Sequence, residues 1–386
     1  MSEKNKKSRL SPSYVLTLLI CIAIGALAVM LLPSYFDLVP ENHTTPIALA
    51  ILVAYVAGSL YISIILHEGG HLVFGLITGY RFSSFRIGAL MLVKVNGKLK
   101  FKRHSLAGTG GQCLLAPPEM KDGRMPHVLY NLGGVISNLV FAAAFFGLAY
   151  ATRSEIYLCS LFVILAVINL TLGISNGIPL STGAIDNDGK NAASLGKNPT
   201  AMRALWIQLM INYETSNGKR LSEMPEEWFS LPSDDELSCG LVASLAVFHE
   251  NRLVDMMQLD DALDVINRYK STPSLPGIYR SLMIMDEMTI RAINGEDYVS
   301  IARLFTKEVH TVMNAMKSFP AVLRTKYVFA LLAEENTASA EKISAAFEKV
   351  KKSYPYATDI QAEGSVMALA KAKFEQRRQS VDVDTE

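Results

Sequence analysis

Long apolar stretches separated by short polar segments fill the first half of the chain, and charged amphipathic segments fill the second half. A helix needs about 20 apolar residues to cross a bilayer. Four stretches are that long, and they predict membrane spans at residues 12–35, 47–78, 128–151 and 156–178. The last should end at Asn-Gly-Ile-Pro, because Pro179 clashes with the preceding helical turn. The pattern therefore predicts a mainly α protein whose first half is a polytopic bundle of about four membrane helices.

The first apolar run follows a basic head at residues 1–9, as secretory signal peptides do. It is longer than the apolar part of a usual signal peptide, and no small-residue cleavage site stands out before Pro33. We therefore interpret it as a retained membrane anchor.

Composition agrees with a membrane protein. Half of the 386 residues are apolar, and the mean hydropathy is +0.24. The net charge is only +1, and no cluster of Lys and Arg marks a nucleic-acid surface. We therefore expect a lipid bilayer as a partner and no nucleic acid.

The basic residues predict the orientation of the spans. The loops at residues 32–43 and around Arg153 hold one basic residue between them. The long loop after the second span holds nine, namely Arg81, Arg86, Lys94, Lys98, Lys100, Lys102, Arg103, Lys121 and Arg124. This asymmetry predicts that both termini are cytoplasmic, and we expect the membrane to be that of a bacterial cell.

The sequence His-Glu-Gly-Gly-His lies late in the second span. His67 and His71 are one helical turn apart, so both imidazoles can bind one zinc ion from the same helix face. Glu68 then lies beside the metal, where it can act as a general base on a water molecule. An ionisable residue within an apolar span is costly and points to function. A buried structural histidine would explain neither the glutamate nor the pairing.

Two histidines leave a zinc site short of a protein ligand. Candidates follow the fourth span, where Asp188 precedes Gly189 and Asp186 lies close by. Both HEGGH and Asp188 should lie near the cytoplasmic face, so we favour Asp188, with Asp186 as the rival. Without that topology, an Asp-Gly turn would be the simpler interpretation of Asp188.

These motifs resemble those of the site-2 protease family, which combines a membrane-embedded HExGH with a distant Asn-x-x-Pro and Asp-Gly. Here they read as LHEGGH, and as Asn176, Pro179, Asp188 and Gly189. The resemblance covers roughly residues 45–195. It implies that His67, His71 and Asp188 bind zinc, that Glu68 is the catalytic base, and that membrane-associated proteins or peptides are cleaved. The proline and aspartate are farther apart here than is usual in the family.

Two asparagines are possible supporting residues of the substrate site. Asn138 lies in NLGGVISN of the third span, which is similar to a glycine-and-asparagine pattern of the family. It can equally hydrogen-bond between closely packed helices. Asn176 can likewise hydrogen-bond the backbone at the broken end of the fourth span.

A small cytoplasmic β-hairpin is predicted at Asn96-Gly97, a tight-turn signal between two strand-like runs. Its open edge at residues 90–95 could receive an extended substrate strand, as the family's loop is thought to do. The alternative is an amphipathic hairpin whose lysines lie among lipid headgroups. The following glycine-rich stretch, LAGTGGQCLLAPP, is uncharged and could dip into the membrane, but we favour an ordinary loop.

The second half predicts an α-helical soluble domain at residues 191–378, after a transmembrane catalytic domain at residues 1–190. Helix-length units such as AEKISAAFEKVKKSY suggest helical-hairpin repeats that could hold a protein partner, although a plain helical bundle fits as well. Residues 379–386 are polar and acidic, and we expect a disordered tail.

Two functions other than peptide hydrolysis are alternatives for this sequence. A small proton-coupled transporter could relay protons through His67, Glu68 and Asn169, but four spans without visible duplication argue against it. A protease-like scaffold or immunity protein without turnover is the other alternative. The intact motifs favour the protease.

Overall fold

A computed structural model of the chain describes Leu19 and residues 45–106, 109–182 and 185–384. The span predicted at 12–35 lies outside these residues, apart from Leu19. The chain forms two compact units. Among the described residues, the first unit, here called the membrane unit, comprises Leu19 and residues 45–80, 125–182 and 186–198. The second, the sheet-and-helix unit, comprises residues 81–106, 109–124, 185 and 199–384.

Four helices make up the described part of the membrane unit: α1 (Thr45–Ile77), α2 (Val128–Ala151), α3 (Ile156–Gly177) and α4 (Asp188–Ser194). The first three are long and apolar enough to cross a bilayer. They confirm the predicted spans at 47–78, 128–151 and 156–178. Many of their apolar side chains are exposed, which is the arrangement expected where lipid replaces water. The chain is an integral membrane protein.

Small residues bring α1 and α2 into close contact. A Cβ atom added to Gly70 would lie 2.2 Å from the Gly133 carbonyl oxygen, and one added to Gly133 would lie 2.6 Å from the Gly70 oxygen. Glycine at such contacts lets membrane helices approach backbone to backbone. The site described below depends on this approach, because both histidines lie on α1 beside it.

The sheet contains four antiparallel strands in the order β3-β2-β1-β4. Their bounds are β1 (Arg81–Ile87), β2 (Leu90–Val95), β3 (Lys98–Arg103) and β4 (Gly111–Ala116). β4 occupies the stretch predicted as a loop. That prediction was wrong because pairing with β1, a distant segment, satisfies the backbone there. Two short strands, β5 (Ser181–Thr182) and β6 (Ile185–Asp186), form a separate pair.

The predicted hairpin is confirmed. Val95 pairs with Lys98, so Asn96 and Gly97 form a two-residue turn in which both φ angles are positive, 49° and 78°. Asparagine and glycine tolerate this conformation best. The prediction of an open edge at residues 90–95 was wrong, because β2 pairs on both sides. Among the described strands, β3 and β4 form the edges of this sheet.

Nine helices complete the sheet-and-helix unit within residues 199–384. They are α5 (Pro199–Ser216), α6 (Gly240–Asp255), α7 (Leu259–Tyr269), α8 (Gly277–Asn294), α9 (Tyr298–Ala302), α10 (Lys307–Ala315), α11 (Pro320–Val328), α12 (Thr337–Ser353) and α13 (Ala357–Asp384). A π-helical turn, Phe329–Ala333, extends α11, and 3₁₀ turns lie at Leu195–Lys197, Leu221–Glu223, Glu226–Phe229 and Glu236–Ser238. One large apolar core joins α6 to α13. Repeats of helical hairpins stay a prediction.

The sheet packs against these helices, which explains why it belongs to their unit. Met91 and Val93 of β2 form a small apolar core with Tyr356. The Trp206 indole donates a hydrogen bond to the Pro118 carbonyl oxygen at 2.9 Å. These contacts join segments far apart in sequence.

The final helix extends beyond the predicted domain end. α13 continues to Asp384, so the tail predicted to be disordered from residue 379 is helical through that residue. Arg377 donates hydrogen bonds to the carbonyl oxygens of Leu332 and Ala292 and fixes the helix to its unit. The glutamine and arginine residues around it are also good helix formers. These two effects outweigh the polar composition on which the prediction of disorder rested.

Candidate metal centre

Two histidines of α1 face the same point in the membrane unit. His67 and His71 are one turn apart, and their Nε2 atoms lie 3.2 Å from each other. Glu68 and His71 are 8% and 9% exposed, so the cluster is nearly closed to solvent. The helical spacing read from the sequence therefore brings these side chains together.

The other ring nitrogen of each histidine contacts a hydrogen-bond acceptor. His67 Nδ1 lies 2.6 Å from Asn138 Oδ1, and His71 Nδ1 lies 2.8 Å from the Tyr130 carbonyl oxygen. Asn138 presents its oxygen because its Nδ2 donates to Asn169 Oδ1 at 2.7 Å. Both Nδ1 atoms are therefore the donors, and each neutral imidazole keeps its lone pair on Nε2.

Asp188 reaches the histidines from the start of α4. Its Oδ2 atom lies 3.1 Å from His67 Nε2 and 3.4 Å from His71 Nε2. The atom is buried, and no described donor makes a well-oriented hydrogen bond to it. Three electron-pair acceptors thus converge on one point.

This convergence fits a metal ion. Among the described residues, His67, His71 and Asp188 form the one group of metal-binding side chains with ligand atoms all within 4.8 Å of one another. Converging lone pairs repel one another unless a positive charge lies between them. Two imidazoles and a carboxylate are a donor set that suits zinc, with a fourth position left for water or substrate.

Comparison with known proteins identifies this region. Residues 43–182 match the family model described as Peptidase M50B-like. This segment of the chain is therefore similar to the Peptidase M50B-like family. The match supports the resemblance to the site-2 protease family of membrane metalloproteases. No curated protein and no solved structure matches the chain. Asp188 follows the matched segment.

Asn187 positions Asp188 next to the M50B-like segment. Its Oδ1 atom accepts hydrogen bonds from the backbone N–H of Leu180 and Lys190, which caps α4. Its Nδ2 atom donates to the Ser175 and Ile178 carbonyl oxygens at the end of α3. Asn187 was not among the predicted site residues, although asparagine before a short helix is an N-cap signal.

Burial acts to raise the pKa of the Asp188 carboxyl, but hydrogen bonds and positive charge from His67 and His71 lower this pKa to about 2. That lowering requires a proton on each Nε2 atom. A bound metal ion would replace these protons, because metal ligands must be deprotonated.

Asp186, the rival acid, makes a different contact. Its Oδ1 atom accepts a hydrogen bond from the Ser181 hydroxyl at 2.5 Å. It is not part of the metal-binding group. The structure thus brings Asp188, rather than Asp186, to the two histidines of the M50B-like segment.

The two possible supporting asparagines differ. Asn138 contacts His67 directly and also bonds Asn169 and the Ser63 carbonyl oxygen, so it hydrogen-bonds between helices, and its part in a substrate site stays a prediction. Asn176 donates to the Leu172 carbonyl oxygen of its own helix, as in the structural interpretation. Asn169 donates to the Ser63 hydroxyl and therefore connects α3 to α1.

Glycines keep space for the side chains of the M50B-like site. A Cβ atom on Gly134 would lie 2.5 Å from the His67 ring. One on Gly189 would lie 2.1 Å from the Gly177 carbonyl oxygen. Larger residues at these positions would displace His67 or the Asp188 turn.

Proposed function

We propose that the protein is an intramembrane zinc metalloprotease that hydrolyses peptide bonds of membrane-associated proteins or peptides. The observation that carries the proposal is the convergence of His67 Nε2, His71 Nε2 and Asp188 Oδ2 beside a helix of membrane-spanning length. The family match supports the same chemistry.

Each residue has a distinct role in the proposed reaction. His67, His71 and Asp188 would hold zinc, and Asn138 would fix the orientation of the His67 ring. A bound zinc ion supplies a Lewis acid that polarises a peptide carbonyl and lowers the pKa of water. Glu68 takes a proton from the attacking water and returns it to the amine that leaves. The bond that breaks is the peptide C–N bond, and a carboxylate and an amine form.

The setting limits the class of substrate. The histidines lie on α1, a helix of membrane-spanning length, so the scissile bond must approach at membrane depth or at its boundary. We also propose that both termini lie on the cytoplasmic side of a bacterial membrane, because basic residues concentrate in the long loop after the second predicted span. A protein partner of the C-terminal helical domain also stays a prediction.

The test compares membranes of cells that express wild type, Glu68→Gln or Glu155→Gln. Mass spectrometry of protein amino termini should detect cleavage products with wild type and with Glu155→Gln, whose side chain is exposed at the start of α3. These products should be absent with Glu68→Gln, because the amide cannot accept the proton. Products that persist with folded Glu68→Gln would contradict the proposed role. A cellular function that survives this substitution would favour a scaffold.

A further inference from the structure

A second candidate site lies wholly within the sheet-and-helix unit. A cavity of about 460 Å³ opens between β4, α5, α6, α8, α11 and α13. This volume is within the range of small-molecule sites. No residue of the proposed metal centre lines it, and the proposed protease reaction does not use it.

Part of the cavity wall is apolar and aromatic. Leu282, Met285, Phe319, Tyr354 and Tyr356 line it. Apolar walls favour a ligand with a hydrocarbon portion, and tyrosine rings can also attract a cation through their faces.

The charged part of the wall has more carboxylates than available cations. Four carboxylates line the cavity: Asp255, Asp286, Asp359 and Glu363. Three cationic side chains also line it: Lys219, Arg220 and Arg324. Lys219 pairs at 2.8 Å with Glu214, which is not part of the lining. Two guanidinium groups are therefore the available counter-ions for four carboxylates.

The contacts show which carboxylates lack a full counter-ion. Arg220 pairs with Asp255 at 2.7 Å. Arg324 is shared, because it contacts Asp286 and also pairs with Glu363 at 2.7 Å. Among the described residues, Asp359 has no ion pair, and the hydrogen bond that it accepts from the Tyr354 hydroxyl is long, 3.5 Å. The negative charge in excess thus lies at Asp359 and is shared between Asp286 and Glu363, and Glu363 is one turn from Asp359 on α13.

A polar atom beside this charge supports a ligand. Thr358 is 5% exposed and lines the cavity, and its Oγ1 atom has no hydrogen-bond partner among the described residues. Burial raises the pKa of Asp359 to about 7, and the nearby charge of Glu363 adds to the rise. A hydrogen-bond donor with a positive charge would satisfy both side chains.

The spacing of the carboxylates argues for an organic cation over a metal ion. Within the part of the chain that the structure describes, the three-ligand metal group is that of His67, His71 and Asp188, and none forms in this cavity. The apolar walls also favour an organic cation over a divalent metal ion, since such an ion prefers a shell made entirely of oxygen ligands.

We propose that this cavity binds a primary alkylammonium group on an apolar stem, with Asp359 and Glu363 as counter-ions and Thr358 as a hydrogen-bond acceptor. The group could belong to a free diamine or to a lysine side chain of a peptide. Both ligands carry the same primary ammonium group on an alkyl chain. They differ in whether that chain is attached to a peptide.

Calorimetric titration of the detergent-purified full chain at pH 8 tests this proposal. The probes are 1,5-diaminopentane and N-acetyl-lysine methylamide, and N-acetyl-norleucine methylamide is the matched probe without the ammonium group. Saturable binding of the diamine alone would identify free amines as the source, and binding of the lysine derivative alone would identify peptides. Binding of neither amine by folded wild type would overturn the proposal, as would equal binding of the norleucine probe.

Variants locate the site. Asp359→Asn should weaken amine binding at least about tenfold, since it removes a largely buried charge from the contact. Glu375→Gln, on the same helix but exposed, should bind as wild type does. Glu68→Gln should also bind normally, so failure of the protease proposal would leave this result unchanged. Amine affinity equal to wild type in folded Asp359→Asn would refute the assignment.

Thr358→Val provides a second variant of nearly the same shape. It removes the hydroxyl acceptor and should weaken binding about threefold to tenfold, because one charge-assisted hydrogen bond is lost. Unchanged affinity would contradict the site even if Asp359→Asn did not fold.

Discussion

Asn138 determines how His67 presents its Nε2 atom. Replacement by leucine keeps the approximate shape but removes the acceptor of the 2.6 Å contact with Nδ1. We expect the zinc affinity to fall about 10-fold to 100-fold, the usual effect of losing an outer-shell partner of a metal-binding histidine. Competition with a chromogenic chelator measures the change.

Ser137→Ala is the matched control for Asn138→Leu. Ser137 is the preceding residue on α2 and donates its hydrogen bond to the Leu66 carbonyl oxygen, away from the imidazole. Its zinc affinity should equal that of wild type. An Asn138→Leu protein with undiminished zinc affinity would show that the hydrogen bond does not support the site.

Asp359 should make the stability of the sheet-and-helix unit depend on pH. Its folded pKa, about 7, is raised above the usual value, first by burial and then by the charges of Glu363 and Asp255, although the Tyr354 hydroxyl opposes the rise. The folded state therefore holds this proton more tightly than the unfolded state does. The resulting stabilisation is present at acidic pH and is lost as the pH rises through about 7.

Asp359→Asn removes this loss of stability. At pH 8 the variant should exceed wild type in unfolding free energy by on the order of 1–3 kcal/mol, and the difference should shrink toward pH 5. Tryptophan fluorescence can follow this unit, because both tryptophans, Trp206 and Trp228, lie within it. A difference that is equal at both pH values would argue against titration of Asp359.

Local sequence predicted some of these residues and not others. His67 and His71 could be predicted as a pair because four residues of helix fix their spacing. The contact of Asn138 with His67 spans 71 positions in the sequence, so only its motif gave a hint. Asn187 acts through the ends of two different elements, which no local pattern of the chain specifies.

At the scale of elements, the approach of α1 and α2 depends on Gly133. Gly133→Ala would place a methyl group 2.6 Å from the Gly70 oxygen and 3.0 Å from the His71 Cα atom. We expect destabilisation of about 1–3 kcal/mol from overpacking, with loss of bound zinc as α1 shifts. Thermal aggregation in detergent and zinc content are the measurements.

Gly147→Ala, on the same helix, is the control. Apart from its two chain neighbours and the nearby backbone of its own helix, no atom of the described residues lies within 4 Å of a Cβ placed there, and alanine favours the helix by up to about 1 kcal/mol. It should be at least as stable as wild type and keep its zinc. Equal behaviour of the two variants would contradict the importance of the close approach.

A local sequence pattern is sufficient to predict an element when the conformation of that element is set locally. Asn96-Gly97 predicted its hairpin because a two-residue turn imposes its own backbone angles. β4 was missed because its pairing with β1 is not local, and a glycine-rich sequence alone gives little strand signal. The helix α13 extends past the predicted domain end for a similar reason, since Arg377 contacts residues 45 and 85 positions away.

At the scale of the molecule, the membrane part was the more predictable. Bilayer thickness imposes a strict length on apolar helices, and three predicted spans have the bounds of the described helices to within two residues. That the sheet belongs to the same unit as the C-terminal helices could not be predicted. It depends on contacts such as that of Trp206 with Pro118, which are 88 positions apart.

The most direct test of the central claim is the zinc content of the detergent-purified chain, measured by mass spectrometry in wild type, Asp188→Ala and Asp186→Ala. Wild type and Asp186→Ala should hold about one zinc ion per chain, and Asp188→Ala should lose most of it, because Asp188 is the described residue that completes the ligand group with the two histidines. Folded wild type without zinc, or zinc fully retained in Asp188→Ala, would contradict the account.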